Sequence, residues 1–410
     1  MNFLNSLRAM QGWRAAWAWG VVLVLTMRLG LGLVMGATWL ALKPYLPATL
    51  VADPRVYDGL PTYPTSPADA VLGVWLRWDA VHLLNLARLG YFQVTIGDSV
   101  YYPLYPLITR FVTPWVGGDY VVGGLLVSTL VAIVAFACLY RLAEQLYGDD
   151  VARWTVVAWA VYPTAFFLIA PFTEALFMAL TLGAFVAAYA RRWWLVGVLG
   201  ALASLTRGLG LLTVVALAWI AWEQWRAEGR GLSLSRSNVR HALTIAPGLI
   251  LPPLGGYAFT LWRDSVGFPS MTDILGTYSS GLVFTDPIRG LWAAVVQWLT
   301  VRDLPTTLDV VSAFIFIGLM IAMAINPRWR RVEWLLYMGI TLAFTVSIHT
   351  VRASYLQSLA RYVLALFPAF IVIGDWLAQR GPRVRFAYLT LSSLLLVLLS
   401  ALYALWWFIG

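Results

Sequence analysis

Charged residues are scarce in this chain, and lysine, cysteine and histidine are almost absent. Asp, Glu, Lys and Arg make up 11% of the 410 residues, whereas soluble domains contain about 25%. The single cysteine, Cys138, excludes an intramolecular disulfide, and the three histidines are too widely separated for a zinc motif. Hydrophobic residues account for 61% of the chain, with a mean hydropathy of +0.77. This composition excludes a soluble enzyme and indicates a polytopic membrane protein.

The basic residues are nearly all arginine, and they give the chain a formal net charge of +9. Many lie in short loops between apolar runs, such as 326–331 and 380–385. This pattern is typical of cytoplasmic loops and not of a nucleic-acid surface. The first apolar run lacks a small-residue cleavage site, so it predicts a first membrane helix with a cytosolic N-terminus.

The apolar runs predict an all-α protein with one integral-membrane domain, 1–410, and about eleven membrane helices. As one helix, 193–222 would place the following arginine-rich loop outside, so we predict two half-length helices broken at 207–210. We detect no fixed-period repeat, and the C-terminus is expected outside. The predicted helices are 15–42, 120–140, 154–169, 172–190, two within 193–222, 242–262, 308–325, 334–350, 363–379 and 386–409.

Two long loops are predicted on the external face. The first, about 43–119, holds six aspartates and five basic residues, so it lacks the positive excess of a cytoplasmic loop. A connection this long is usually functional. The second, about 263–306, contains a possible interfacial helix at 288–300.

The stretch RWDAVHLLNLARLGY, 77–91, is the strongest candidate for chemistry. Its apolar arc predicts an amphipathic helix that lies along the membrane surface. Asp79 and His82 stand three residues apart and therefore share one side. The alternative for Asp79 is an ordinary surface salt bridge with Arg77 or Arg88. His82 is favoured as a hydrogen-bond partner over a metal ligand.

Four ionisable residues fall within or near predicted membrane segments, where each needs a partner or a wet cavity. Arg28 is expected either to form an internal salt bridge or to have a functional role. Glu174 is a candidate partner for one of the arginines. Arg207 stands at the proposed helix break, where an arginine fork suits a bound anion. Arg361 suits either interfacial snorkelling or phosphate binding.

Five segments together resemble the GPI mannosyltransferase 2 family, of the phosphatidylinositol-glycan class V type, and its prokaryotic relatives. The segments are RWDAVHLLNLARLGY, YYPLYPLITR (101–110), AVYPTAFFLIAPFTEALF (160–177), ALASLTRGLGLL (201–212) and SLARYVLALFP (358–368). The resemblance implies a GT-C membrane glycosyltransferase that takes mannose from a polyprenyl-phosphate-mannose donor. It also implies that the acid of the first external loop, here Asp79, is catalytic.

On this interpretation Asp79 is the general base that activates a lipid- or glycan-linked acceptor, and the sugar configuration is inverted. The residues expected to bind the donor phosphate and sugar are Arg207, Arg361, His82 and Arg28. Those expected to line the substrate site are Trp78, Arg77, Tyr102 and Glu174. Because the arginines neutralise the phosphate, we expect no metal and no cofactor. Membrane lipids are the other expected partners, and a prokaryotic plasma membrane is the preferred location.

Two other functions fit the same residues. Broken helices and intramembrane arginines are also typical of a lipid-linked sugar flippase or transporter. In a non-catalytic membrane subunit, Asp79 and the arginines would simply pair with one another.

Overall fold

The computed structural model describes residues 10–46, 60, 67–277, 281–350 and 355–409. Much of the first predicted external loop, at 47–59 and 61–66, lies outside these residues. Up to the middle of the chain the helices are α1 (Gly12–Leu42), α2 (Pro67–Val71), α3 (Asp79–Leu89), α4 (Leu104–Val112), α5 (Tyr120–Tyr147), α6 (Asp149–Ala160), α7 (Glu174–Tyr189), α8 (Trp193–Ser204) and α9 (Leu209–Ala227). The remaining helices are α10 (Arg236–Ser265), α11 (Met271–Thr277), α12 (Pro287–Val301), α13 (Leu304–Ile325), α14 (Val332–Ser347), α15 (Leu359–Tyr362), α16 (Phe367–Ala378) and α17 (Pro382–Ala404).

Short elements complete the described chain. β1 (Leu282–Phe284) and β2 (Ile348–Thr350) form an antiparallel pair in which Val283 opposes His349. The 3-10 turns are Lys43–Tyr45, Gly73–Trp75, Ile96–Val100, Thr113–Val116, Ala165–Leu168 and Val363–Ala365.

Among the described residues, five helices are long and apolar enough to cross a membrane: α1, α5, α10, α13 and α17. Helix α15 continues through its 3-10 turn to residue 365, and the chain then bends by 76° into α16. Counted as one bent span, this pair is the sixth candidate. Helices α7, α8 and α14 are apolar but shorter. The predicted all-helical membrane fold is confirmed, while the count of eleven membrane helices stays a prediction.

The predicted break in 193–222 is present, because α8 ends at Ser204 and α9 begins at Leu209. Close helix packing supports the two halves. A Cβ added to Gly197 of α8 would lie 2.4 Å from the carbonyl oxygen of Pro247 in α10, and one at Gly255 would lie 2.5 Å from that of Ala201. Small residues therefore allow α8 and α10 to approach backbone to backbone.

A helix forms within the predicted segment 77–91, as α3 (Asp79–Leu89), while its position along the membrane surface stays a prediction. Protein covers most of α3, since Leu83, Leu84, Asn85 and Leu86 are all nearly inaccessible, whereas His82 is exposed. The polar side chains that suggested a wet face are bound by the protein, as when Arg88 donates to Asn85 at 3.2 Å.

Helix α4 of the same loop has the exposure pattern expected of a helix at a membrane surface. Its Leu107 and Phe111 are 56% and 73% exposed, whereas its Tyr105 and Thr109 are buried. An apolar exposed side over a buried one is what a helix at a membrane surface requires.

The predicted helix 154–169 is also wrong in its extent. Helix α6 ends at Ala160, and an irregular segment leads through the 3-10 turn Ala165–Leu168 to α7. Pro163 has no amide hydrogen and disfavours helical geometry in the residue before it, which explains the early end.

The contacts made at the two ends of α1 define the two ends of the helix bundle. The amide of Gly12 at the start of α1 donates to Glu144 near the end of α5 at 2.8 Å, and Tyr147 donates to the carbonyl of Arg328 at 3.2 Å. These residues define one end, the N-terminal end. The other end carries Lys43 at the far side of α1, which pairs with Asp69 at 2.7 Å.

Candidate active site

Four charged residues from four parts of the chain form a continuous row at the end opposite the start of α1. Arg361 donates to Asp79 at 2.8 Å and lies 3.1 Å from Glu174. Arg207 in turn donates to Glu174 at 2.5 Å. The row therefore alternates in sign, Asp79, Arg361, Glu174, Arg207, and its formal charges cancel.

Burial varies along this row. The side chains of Arg361 and Glu174 are 6% and 5% exposed, but that of Asp79 is 31% exposed. A buried charge needs partners, and each of the inner members has them. Asp79 is the carboxylate of the row that an incoming substrate can reach.

Asp79 begins helix α3, and its position depends on an unusual backbone. Trp78, the residue before it, has φ 53° and ψ −128°, a conformation that non-glycine residues rarely adopt. The ring of Trp78 packs edge-on against Trp406 and Phe408, beyond the end of α17. This packing holds the turn and places a carboxylate at a helix N-terminus, where the helix dipole favours negative charge.

The surroundings of Asp79 keep it ionised. Burial raises the pKa of its carboxyl, but the Arg361 guanidinium, together with His82 and the hydroxyl of Tyr101, more than offsets this and lowers the pKa below its usual value. Tyr101 donates to the other carboxylate oxygen at 3.0 Å. Burial and the adjacent Asp79 raise the pKa of Tyr101 well above its usual value, so Tyr101 remains a hydrogen-bond donor.

A second carboxylate, which the sequence analysis missed, supports His82. Asp98 is 6% exposed and lies 2.8 Å from Nδ1 of His82, whose ring stacks on Tyr101 at 5.9 Å and 14°. The loop that carries Asp98 is itself fixed, because Arg263 donates to the carbonyl of Ser99. The only sequence signal was an aspartate in a turn just before the paired tyrosines 101 and 102.

Arg361 is held by its own backbone and by helix α13. Ser358, which precedes α15, has φ 68°. Asp309 accepts from the amide of Ala360 at 2.8 Å, and Thr164 donates to the carbonyl of Ala360 at 2.7 Å. Asp309 is therefore a positioning residue for Arg361, and it too was missed from the sequence.

Arg207 lies in the break between α8 and α9, as predicted. A Cβ on Gly210 would lie 2.4 Å from the amide nitrogen of Ser204, so the turn between the half-helices requires glycine there. The Arg207 guanidinium stacks over Tyr362 at 4.8 Å. The break between α8 and α9 and the ring of Tyr362 together hold the Arg207 guanidinium beside Glu174.

One cavity is lined by members of the row, and another is lined by Gly208, the residue after Arg207. The first, of about 10 Å³, is lined by Glu174, Arg207, Arg361 and Tyr362, a volume that suits about one water or hydroxyl. Within the described residues, Oε2 of Glu174 is buried and has no hydrogen-bond partner. The other, about 460 Å³, is a mostly apolar groove whose wall includes Tyr102, Gly208, Leu254 and Tyr257.

Two residues assigned to the site from the sequence lie outside it. Arg77 is fully buried beneath Trp78, donates to the carbonyls of Gly73 at 2.5 Å and Ala404 at 3.0 Å, and stacks against Trp39 and Trp406. The substrate-lining assignment of Arg77 was wrong, because this side chain joins the loop to α17.

Among the described residues, Arg28 forms no hydrogen bond or ion pair with the four residues of the row. It donates to Thr129 at 2.9 Å and to the carbonyls of Leu125 and Ile169, and its guanidinium lies over Trp75. The donor-binding assignment of Arg28 is corrected to a structural one, since its hydrogen bonds tie α1 to α5 and to the segment before α7.

Comparison with known proteins gives the following matches. Residues 102–250 match the family model described as dolichyl-phosphate-mannose-protein mannosyltransferase. This region contains Glu174 and Arg207 but neither Asp79 nor Arg361. The chain is 31% identical over 156 residues to GPI alpha-1,6-mannosyltransferase 2 of Rattus norvegicus, and 30% identical over 156 residues to that of Cricetulus griseus.

Each of these matches covers 36% of this chain and 31% of the relative, so the chain spans about a third of the curated relatives it matches. A solved structure, ArnT from Cupriavidus metallidurans bound to undecaprenyl phosphate, is 17% identical with a TM-score of 0.45, covering 77% of this chain and 60% of that one. The sequence matches confirm the resemblance to membrane mannosyltransferases that the five segments predicted.

Proposed function

We propose that this protein is an inverting GT-C mannosyltransferase that moves mannose from a polyprenyl-phosphate-mannose donor to a lipid- or glycan-linked acceptor. The observation that carries the proposal is the row of four charges, which ends in one accessible, ionised carboxylate, Asp79. The match to the mannosyltransferase family model supports the class of reaction. We place the reaction at the external face of a prokaryotic plasma membrane.

In the proposed step, Asp79 accepts the proton of the acceptor hydroxyl as its oxygen forms a bond to C1 of mannose. The bond between C1 and the phosphate oxygen breaks on the opposite face, and its electron pair leaves with the phosphate. The configuration at C1 is therefore inverted. A positioned base of this kind contributes about 10²- to 10⁴-fold to the rate.

The pairing of Asp79 with Arg361 links proton transfer to departure of the phosphate. As Asp79 becomes neutral, the Arg361 charge loses one of its two partners. At the same moment the phosphate oxygen gains negative charge, which a preorganised guanidinium stabilises. Arg207 is the second cation of the row, so the proposed reaction uses fixed arginines and requires neither a metal nor a cofactor.

The groove beside Gly208 supports a lipid-linked donor over a soluble one. Gly208, the residue after Arg207, lines this groove, and Tyr102, Leu211 and Tyr257 contribute to its wall. A volume of about 460 Å³ is within the usual range for small-molecule sites, about 300–1,000 Å³. We assign the groove to the isoprenoid units next to the phosphate, and His82 to the sugar or phosphate.

The decisive experiment is single-turnover transfer from radiolabelled polyprenyl-phosphate-mannose by purified protein in lipid nanodiscs, with a mixed lipid extract as acceptor. Wild type should move label to a new lipid or glycan, whereas Asp79→Asn should be at least about 100-fold slower. The matched control is Asp119→Asn, because Asp119 belongs to the same loop and caps α5 through the amides of Val121 and Val122. Asparagine also serves as a helix cap, so this control should remain active.

The outcomes separate the competing functions. A folded but inactive Asp79→Asn beside an active control supports the enzyme. If the wild type transfers nothing while a known transferase works in the same extract, the proposal fails, and labelled-lipid transport becomes the test of a flippase. If the wild type shows no transfer and Asp79→Asn loses stability, the result favours a non-catalytic subunit.

A further inference from the structure

A second polar cleft lies at the N-terminal end, far from Asp79, and the proposed reaction does not use it. It has a volume of about 410 Å³ and opens between α1, α6 and α17. Its wall includes Trp19 of α1, Asp150, Arg153 and Trp154 of α6, and Arg385 and Leu389 of α17. Both signs of charge and two indole rings therefore meet at one cleft.

Arg385, one of the two arginines at this cleft, is held in place and keeps an unused donor. Arg385 donates through Nε to the carbonyl of Leu377 at 2.9 Å and through Nη2 to that of Ala378 at 2.5 Å. Its guanidinium stacks on Trp154 at 4.7 Å. Neither bond uses Nη1, so a fixed positive group faces the cleft.

Trp19 adds a second donor. Its indole nitrogen is buried and has no hydrogen-bond partner among the described residues. A buried tryptophan nitrogen usually finds a partner, because leaving it unpaired costs free energy. Other indole nitrogens in the described part of the chain are also buried without a partner, such as those of Trp219 and Trp334, but Trp19 is the tryptophan of this group that lines the polar cleft.

The negative charge is Asp150, which is exposed and makes no ion pair or hydrogen bond with the residues described. A carboxylate in the first turn of α6 is favourable for the helix dipole. That role accounts for the charge of Asp150 but not for its place beside Arg385 and Trp19. Its neighbour Asp149 already supplies a carboxylate to the same turn and pairs with Arg153.

The surroundings place this cleft at the level of lipid headgroups. Trp13 and Trp17 on α1 are each 43% exposed, and Phe386 on α17 is 71% exposed. Exposed tryptophans of membrane helices concentrate at the interface. Apolar helix surfaces on either side of the cleft then continue into the bilayer.

We propose that this cleft binds the headgroup of an amine-bearing glycerophospholipid, such as phosphatidylethanolamine. The phosphate accepts from Arg385 and Trp19, and the primary ammonium donates to Asp150. An anionic phosphatidylglycerol headgroup leaves Asp150 without a positive partner, and the choline group has no N–H to donate. The acyl chains lie against Leu389 and the lipid-facing side of α1.

The test is native mass spectrometry of the full-length protein after exchange into detergent with equal amounts of phosphatidylethanolamine, phosphatidylglycerol and phosphatidylcholine. Wild type should retain phosphatidylethanolamine in preference to both others. Asp150→Asn should abolish this preference, and Trp19→Phe, which removes the indole N–H together with part of the ring, should lower retention about tenfold, as the loss of a charge-assisted hydrogen bond predicts. Trp17→Phe is the control, because its ring lies on the exposed side of the same helix.

Equal retention of all three lipids by the wild type, or unchanged retention in both variants, would identify ordinary annular lipid and overturn the proposal. Preferential retention of phosphatidylglycerol would also overturn it. Each variant must melt within the error of the wild type in lipid-free detergent. If Trp19→Phe melts early, Asp150→Asn, which alters only an exposed side chain, decides the question alone.

Discussion

Replacing Arg361 by glutamine should remove the positive charge between the carboxylates of Asp79 and Glu174. It should also reverse the sign of the pH dependence that Asp79 contributes to the stability of the fold. In the wild type Arg361 lies 2.8 Å from Asp79 and 3.1 Å from Glu174. Removing one member of a buried ion pair costs about 3–5 kcal/mol. Asp79 is nearly a third exposed and Glu174 keeps Arg207, so we expect the low end, about 3 kcal/mol.

The sign of the pH dependence follows from the pKa of Asp79, which is lowered in the wild type. A lowered pKa stabilises the folded protein above the unfolded value, about 4, and this stabilisation is lost as pH falls through the folded value. Without Arg361, burial dominates and raises the pKa of Asp79. The variant should then lose stability as pH rises above about 4.

The measurement is thermal unfolding in detergent from pH 4 to pH 8, for wild type and Arg361→Gln. The deficit of the variant should be smaller at pH 4 than near neutral pH, where it should reach about 5 °C. Arg361→Lys should recover part of it, because lysine keeps the charge but not the fork. Arg289→Gln, at an arginine that is 85% exposed, should change stability by less than about 1 kcal/mol. A deficit that is absent, or equal at both pH values, would refute the reasoning.

Three further predictions follow from the site and its supports. Asp98→Asn should lower kcat/KM about tenfold in the transfer assay with little change in melting temperature, because it weakens a charge-assisted contact to His82; an unchanged kcat/KM would remove Asp98 from the site. Gly210→Ala should destabilise the protein by at least about 1–3 kcal/mol, since its Cβ meets Ser204 at 2.4 Å. Gly318→Ala, which meets nothing within 4 Å in α13, should be neutral or stabilising by about 0.5–1 kcal/mol, and equal effects would contradict the packing argument. Transfer should survive a chelator at full rate, measured beside a metal-dependent transferase that the chelator stops; inhibition reversed by a divalent cation would contradict the arginine-based reaction.

Sequence reasoning reached the parts of the site that leave a local pattern. The break at Arg207 followed from the arrangement of charged loops, and the alternative of a pair between Glu174 and an arginine is what the structure contains. The bond between Asp79 and Arg361 joins residues 282 positions apart. No periodicity connects such residues, so the sequence alone does not predict which arginine pairs with Asp79.

The two misassigned arginines show a different limit. Arg28 and Arg77 lie in apolar stretches of the sequence. Like Arg207 and Arg361, each therefore needs hydrogen-bond or ion-pair partners. Their partners are largely backbone carbonyls, such as Leu125 and Ala404. Because every residue has a carbonyl, the sequence does not distinguish an arginine that joins helices from one that awaits an anion.

The support beneath Asp79 has a consequence for biosynthesis. Arg77 donates to the carbonyl of Ala404, the hydroxyl of Tyr403 donates to the carbonyls of Trp75 and Arg77, and Trp406 packs on Trp78. The turn that presents Asp79 emerges from the ribosome more than three hundred residues before these partners. A nascent chain that ends at α16 therefore lacks the contacts that hold the turn before Asp79, so we expect the proposed reaction to require that α17 is already in place.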